Sequence, residues 1–449
     1  DVSYQPTGGK LTTEPVPDAR TRGMLTGSKV RVLENVTNPT ETEWLYTVSF
    51  FDAYGRVIQV QTDQPKGAKQ ILTTQYDFSG KVIETHTHQH HPAEEVSPDH
   101  HLKERNEYDH AGRLTATYQQ VNAQTEQVQS RLQYNALGQV TKKTLGSNLQ
   151  QLHYRYNVRG WLTYLNYDHL HGNPPQGSPS NSPTPLFSFS LHYNDLSALQ
   201  QSQKQAQYNG NIGGQRWKST LDGKVYSYAY TYDGASRLKN AYFLDEAQHQ
   251  NPPAQANQLA DYFEGDFTYD ANGNIQNLTR KGYLETDLNG HKTFGTLDAL
   301  SYNYKGNQLI NVTDATNDLD RDKSLGDFRD GNKKANTGLD DYLYDPNGNL
   351  LLDHNKNISA ITYNHLNLPE RILFGEDGQN YLRFVYDAAG IKLRQEVWQE
   401  GQLEKWTDYE GSFIYEQGKL AFFHTAEGRA VAQYLPQGEG TQPTFAYEY

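Results

Sequence analysis

Along much of this chain polar and apolar side chains alternate with period two, as in Tyr226-Ser-Tyr-Ala-Tyr-Thr-Tyr232 and Lys392-Leu-Arg-Gln-Glu-Val-Trp398, which is the period of a strand rather than of a helix. The alternation is punctuated by one recurring unit: an aromatic residue, Asp or Asn, two variable residues, Gly, and then an apolar residue. Copies are Phe51-Asp52-Ala-Tyr-Gly55-Arg-Val57, Tyr76-Asp77-Phe-Ser-Gly80-Lys-Val82, Tyr108-Asp109-His-Ala-Gly112-Arg-Leu114, Tyr134-Asn135-Ala-Leu-Gly138-Gln-Val140 and Tyr156-Asn157-Val-Arg-Gly160-Trp-Leu162. Later copies are Tyr269-Asp270-Ala-Asn-Gly273-Asn-Ile275, Tyr344-Asp345-Pro-Asn-Gly348-Asn-Leu350 and Tyr386-Asp387-Ala-Ala-Gly390-Ile-Lys-Leu393.

Each unit reads as a β-hairpin. The Asp or Asn carboxyl or carboxamide accepts from backbone amides two residues on, and Gly takes the positive φ that closes a type I turn with a bulge. The aromatic and apolar residues lie on the two flanking strands, where they pack across the pair. Degenerate copies fill the wider gaps: Tyr232-Asp233 carries Ser236 in the Gly position, Tyr304-Lys-Gly306 is shortened, and Tyr363-Asn364 uses Asn367 at the turn. A lone hairpin is not stable in water, whereas hairpins stacked edge to edge are. The prediction is an all-β chain of hairpins forming one long spiralling sheet that coils, with the repeat tyrosines in a ladder and every repeat glycine at positive φ.

Composition refines this picture. Hydrophobic residues make up 35% of the chain while aromatics reach 12% and tyrosine alone counts 33, so the apolar surface is largely rings with a polar tip, suited to a sheet that meets water on both faces. With no cysteine, disulfides and thiolate chemistry are excluded. A formal net charge of −13 argues against nucleic acid as a partner, and no run is apolar enough for a membrane-spanning helix. The opening Asp1-Val-Ser-Tyr lacks the basic end and apolar run of a signal peptide, which predicts a processed chain or part of a longer one. Residues 1–50 read as an N-terminal lead-in segment with a first strand near Lys29-Val-Arg-Val-Leu33, and 51–449 as the repeat region.

The units, together with Tyr154-Arg-Tyr-Asn-Val-Arg-Gly-Trp-Leu162, Tyr208-Asn-Gly-Asn-Ile212, Tyr363-Asn-His-Leu-Asn-Leu-Pro369 and Phe423-His-Thr-Ala-Glu-Gly-Arg429, resemble the YD repeats of the Rhs family, notably its large secreted Gram-negative members that use type IX secretion. The resemblance runs from about Phe51 to Tyr449 and extends to teneurins and the C component of insecticidal toxin complexes. It implies a hollow β-shell, secreted or at the cell surface, that encloses or presents a variable C-terminal domain, often a toxin. In relatives the repeats continue into a conserved core and a passenger, so the expected partners are the chain's own C-terminal passenger and secretion machinery or surface lipoproteins.

Candidate chemistry is sparse. Thr85-His86-Thr-His88-Gln-His90-His91, followed by Glu94, Glu95, Asp99, His100 and His101, is the densest ligand cluster. Alternate histidines share a strand face, so His86, His88 and His90 are a candidate zinc or nickel set; against it stands a polar strand running into a solvated loop, broken by Pro92 and Pro98. Asp318, Asp320, Asp322, Ser324 and Asp327 resemble the start of a calcium loop, but Lys323 stands where Gly is needed and no Glu closes it. The cofactor expectation is therefore none, with calcium the one ion suggested by this spacing. The proline-rich stretch from Asp168 to Pro185 reads as an external loop, and Asp195 to Tyr208 as the one place for a short helix. No Gly-x-Ser-x-Gly, phosphate-binding loop or His-Glu-x-x-His occurs, so the leading expectation is a non-enzymatic shell. The alternative is a surface adhesion or carbohydrate-binding protein whose Trp161, Trp217, Trp398 and Trp406 stack on sugars, and a glycosidase comes third.

Overall fold

The structure is a computed structural model that describes residues 2–34, 43–92, 94, 97–173, 183–201, 203–246, 262–286, 290, 292–316, 326–329, 340–434 and 443–449. Among these residues the chain is almost entirely antiparallel sheet. Thirty strands fall into one 19-stranded and one 11-stranded sheet. The longest helix is the single turn Tyr167–Leu170. The described residues of Asp195 to Tyr208 are not helical: Leu196 and Leu199 turn inward onto Ala229, and Lys204 Nζ caps their carbonyl groups at 3.0 and 2.8 Å, bonds that in a helix come from amides four residues on.

The repeat units are hairpins of one construction. Strand Lys69–Tyr76 turns into Val82–His90, with Gln75 opposite Glu84 but Tyr76 opposite Val82, so the return strand carries one extra residue at the turn. The same shift places Tyr108 opposite Leu114, Tyr134 opposite Val140, Tyr269 opposite Ile275 and Tyr344 opposite Leu350. In the unit at Tyr386 the opposing residue is Lys392 rather than the apolar Leu393. All eight repeat glycines are left-handed, from Gly55 at φ 76° to Gly273 at 92°. In the degenerate copies Ser236 and Asn367 occupy the same conformation at φ 62° and 58° without the freedom of glycine.

The chain divides into two compact units, Asp1–Leu149 with Thr362–Tyr449, and Gln150–Ile361. In the first, strands Asp99–Tyr108 and Leu114–Val121 share with the last strands a core of Leu102, Val121, Phe413, Tyr415, Leu420, Phe423 and Ala430. Burying an aromatic or aliphatic side chain of this kind contributes about 1.5–3 kcal/mol. A second cluster joins Val32 and Leu45 to Val385 and Leu393. Backbone follows: after strand Gly27–Arg31, Leu33 donates to the Tyr386 carbonyl at 2.8 Å, and Ala388 donates to the Arg31 carbonyl at 2.8 Å. In the second unit the sheet break after strand Gln308–Asp314 is bridged by the buried Asp341, whose amide donates to Ile310 and whose carboxylate accepts from the amide of Val312, both at 2.9 Å.

The turn geometry sets an expectation for a pair of variants. A Cβ at Gly273 meets nothing within 4 Å, so Gly273→Val suffers from its φ alone and should cost about 1–3 kcal/mol. Ser236→Gly should raise stability by up to about 1 kcal/mol, the left-handed strain relieved less the entropy that glycine adds to the unfolded chain. Urea midpoints of the two variants should move in opposite directions; movement in the same direction would discard the shared turn geometry.

Candidate functional site

The repeat residues meet along a seam. Within a turn, one oxygen of the Asp or Asn accepts amides two and four residues on: Asp109 from Ala111 and Arg113 at 2.9 Å, Asp270 from Asn272 and Asn274 at 2.9 and 2.8 Å, Asp387 from Ala389 and Ile391 at 2.9 and 2.8 Å. Asp345 accepts likewise from Asn347 and Asn349. The Lys81 amide holds the Asp77 carboxyl below its usual range, and the Arg113 amide does the same for Asp109. Between turns the tyrosine reaches backward. Its hydroxyl donates to the carbonyl at the bulge of the preceding hairpin: Tyr76 to Val57 at 2.9 Å, Tyr108 to Val82 at 2.9 Å and Tyr134 to Leu114 at 2.7 Å. In the second unit Tyr232 donates to Ile212 at 2.7 Å, Tyr269 to Leu238 at 2.6 Å and Tyr304 to Ile275 at 2.9 Å.

Where Arg follows the turn glycine, or Ser236 in its place, it reaches forward. Arg56, Arg113 and Arg237 each place Nε 2.7 Å from the carboxylate of their own turn, and a terminal nitrogen donates to the next turn's backbone at Asp77, Asn135 and Asp270. Each guanidinium also lies over the next repeat's ring, at 4.9 Å for Tyr76, 4.8 Å for Tyr134 and 4.5 Å for Tyr269.

The first unit also contains a buried polar cluster made by residues far apart in sequence. His91 Nδ1 lies 2.9 Å from Glu410 Oε1, Gln89 donates to Glu410 Oε2 at 2.6 Å, and the His91 ring stacks on Tyr415 at 4.1 Å. His100 Nε2 lies 2.9 Å from Glu94 Oε2, and the Tyr434 hydroxyl donates to Glu94 Oε1 at 2.7 Å. The two carboxylate side chains are each 2% exposed. Burial pushes the Glu410 carboxyl and the Tyr415 hydroxyl upward. Among the described residues of the segment around Pro92 and Pro98, Pro92 is exposed while His91, Glu94, Ser97 and His100 are buried, and strands Gln402–Glu410 and Phe413–Glu416 supply what covers His91. His91, Glu94 and His100 stand out in the sequence only as members of a histidine-rich run, and no local signal marks Glu410, Tyr415 or Tyr434.

His86, His88 and His90 lie on strand Val82–His90, and the rings of His86 and His88 both stack on His101, at 5.3 and 4.4 Å. His86 Nε2 sits 3.2 Å from His101 Nδ1, while His88 and His90 share one oxygen of Asp99 at 2.8 and 2.9 Å. Burial and then the neighbouring imidazoles push His86 down to about 4, and His101 is likewise pushed down to about 4. Among the described residues no group of three His, Asp or Glu side chains is arranged to hold a metal ion. Asp318, Asp320, Asp322 and Ser324 lie outside the described residues; Asp327 is buried, with Arg329 3.6 Å away. The four tryptophans are engaged in packing: Trp161 against Tyr193 at 4.9 Å, Trp217 against Tyr228 at 5.5 Å, Trp398 on Tyr381 at 5.3 Å, and Trp406 beneath Arg394 at 5.8 Å.

No protein-family model matches this chain, and no curated protein matches it. Among solved structures it is similar to TcdB2-TccC3, at 10% identity and a TM-score of 0.46, over 86% of this chain and 21% of that one. A TcdB2-TccC3-Cdc42 structure is similar over 90% of this chain and 22% of that one, at 11% identity and a TM-score of 0.38. A porin-like protein from Bacteroides uniformis is similar over 60% and 94%, at 10% identity and a TM-score of 0.21. The chain thus spans about a fifth of the length of the TcdB2-TccC3 chains it matches.

Two substitutions separate the seam from the buried cluster. Tyr269→Phe removes the donor to the Leu238 carbonyl and should cost about 1 kcal/mol, whereas Tyr208→Phe, at a residue 68% exposed, should stay within about 0.5 kcal/mol. Equal effects in denaturant titrations would show the hydroxyl bond to be idle. His91→Ala leaves Glu410 buried beside an unmade partner and should cost about 3–5 kcal/mol; a loss under about 1 kcal/mol would mean that water takes over the contact.

Proposed function

We propose that this chain is part of a secreted or cell-surface Rhs-type repeat shell that encloses or presents a C-terminal effector domain and has no turnover of its own. The observation that carries the reading is the meeting of early and late strands in one compact unit, where Val32 and Leu45 pack with Val385 and Leu393 of the last repeat, and Leu102 and Val121 beside the third repeat share a core with Phe413, Tyr415 and Phe423. A repeat array that only displayed ligands along its length has no need to bring its ends together. The seam supports the same reading, because within each unit neighbouring hairpins are bonded to one another through tyrosine hydroxyls and arginines. Residues that follow Tyr449 in the intact protein supply the passenger in this reading, with secretion machinery or surface lipoproteins as transient partners.

Adhesion through a glycan is the second reading, favoured by a cavity of about 330 Å³ in the second unit lined by Tyr228, Tyr262, Glu264, Lys281 and Tyr283. Aromatic rings beside a few charged groups suit a polyhydroxylated ligand.

The two readings part in limited proteolysis of the intact secreted protein. Enclosure requires that the region after Tyr449 resist protease in the wild type and become cleavable in the His91→Ala variant, in which the closing strands lose their buried tie. Equal cleavage in both proteins, or retention of the purified repeat region on an immobilised polysaccharide with loss on Tyr262→Ala, would replace the shell by the adhesive reading.

A further inference from the structure

Residues 2–24 contain no strand, yet they form an ordered strap across one face of the first repeat strands. Side chains of the sheet hold them, in place of a ladder. Gln59, fully buried on strand Val57–Asp63, meets the backbone of Gln5 with both ends of its carboxamide: Oε1 accepts from the Gln5 amide at 3.0 Å and Nε2 donates to the Gln5 carbonyl at 2.7 Å, while the same two atoms also bond Gln61 and Thr73 of the sheet. This is the double bond pattern of a neighbouring strand, made by one side chain. Gln61 donates to the Ser3 carbonyl at 2.9 Å. Further along, Glu84 accepts from both the amide and the hydroxyl of Thr12, at 2.6 and 2.7 Å, and faces Lys103 at 3.2 Å.

Burial pushes the Glu84 carboxyl upward, but its bonds to Thr12 and Lys103 outweigh that and hold it below the usual range. The strap is braced internally by Glu14, whose carboxylate accepts from the Tyr4 hydroxyl at 2.7 Å and the Thr7 hydroxyl at 2.6 Å.

Two features separate this strap from a piece of core. The strands beneath it, Trp44–Phe51, Val57–Asp63, Lys69–Tyr76 and Val82–His90, are paired on both sides without it. Its contacts are also mainly polar: among its described residues Leu11, 5% exposed, is the one buried hydrophobic side chain, and Tyr4 adds an edge-on ring contact with Phe50 at 5.8 Å. Lifting the strap therefore uncovers carboxamides and a Glu–Lys pair that water can solvate, rather than a hydrophobic face. Beyond Ser3 the trough continues as a cavity of about 250 Å³ lined by Tyr46, Val48, Gln61, Lys69 and Ile71.

We propose that this face is a receptor groove for a threonine-bearing peptide, extended at Ser3 to Gln5 and bent between there and Thr12, filled in this chain by residues 2–24 and able to exchange that strap for an equivalent peptide in trans. Recognition is of extended backbone by Gln59 and Gln61, with one amide and hydroxyl read by Glu84, so the groove selects a conformation and one threonine rather than a long side-chain code.

The test uses the full chain with a protease recognition sequence inserted after Leu25, a residue 74% exposed. After cleavage, a fluorescent peptide of residues 2–24 is added and its anisotropy followed. The expected result is a folded sheet by circular dichroism, release of the native strap on dilution, and saturable one-to-one uptake of the labelled peptide. Carrying Thr12→Val in the peptide alone, which leaves the protein untouched, should weaken uptake at least about tenfold through loss of a charge-assisted bond. Unfolding on cleavage, a strap that never leaves, absence of uptake, or equal affinity for the Thr12→Val peptide would each overturn the proposal.

Discussion

The structure depends on the bond that Tyr76, Tyr108, Tyr134, Tyr232, Tyr269 and Tyr304 each make to the hairpin before them. The aromatic-Asp-x-x-Gly turn closes itself through its own carboxylate and its left-handed glycine, but it does so with a bulge, and a bulge interrupts the regular ladder. The hydroxyl of Tyr76, Tyr108 or Tyr134 donates to the carbonyl at that irregular point, one hairpin back. Donor and acceptor thus belong to different repeats, and the bond exists only in a stack. The same logic accounts for Phe51: it opens the series of repeats, has no earlier repeat hairpin to reach, and makes do without a hydroxyl.

Arginine adds a second, directional tie. Arg56, Arg113 and Arg237 bind their own turn's carboxylate and the backbone of the following turn, with the next ring beneath the guanidinium. Tyrosine points back and arginine points forward, so a turn that carries both is held from each side. Individually these contacts are modest, since hydrogen bonds and partly exposed ion pairs contribute little net. Within each unit they recur from hairpin to hairpin, so their small contributions add.

The interior of the first unit is unusual in how much of it is polar. Gln59, Gln89, Gln119 and Gln129 are each at most 1% exposed, alongside the His91–Glu410 and His100–Glu94 pairs. With 35% hydrophobic residues, aliphatic side chains leave room that carboxamides take: Gln59 and Gln89 bond through both amide atoms, Gln119 through its nitrogen to Glu104, while the amide atoms of Gln129 are buried without a partner. Such groups are costly when one partner is lost, which favours a single arrangement of opening and closing strands over alternatives of similar compactness.

What was legible in the sequence was everything enforced within a few residues. The hairpins, their bulged turns, the positive φ at all eight repeat glycines and the strained substitutes at Ser236 and Asn367 follow from local sterics and side-chain-to-backbone bonds, which need no distant partner. The helix expected at Asp195 to Tyr208 failed for the converse reason, because its leucines gain more by lying on Ala229 than by completing a turn. Tertiary structure alone decided which polar residues go inside. A glutamine or histidine reads the same on a surface as in a core, and His91 meets Glu410 only across 319 residues of chain. Gln59 meets Gln5, and Glu84 meets Thr12, only because a segment without strand pattern is laid over a finished sheet. Local chemistry determined the repeat; the long-range pairing of buried donors and acceptors determined how the repeats close.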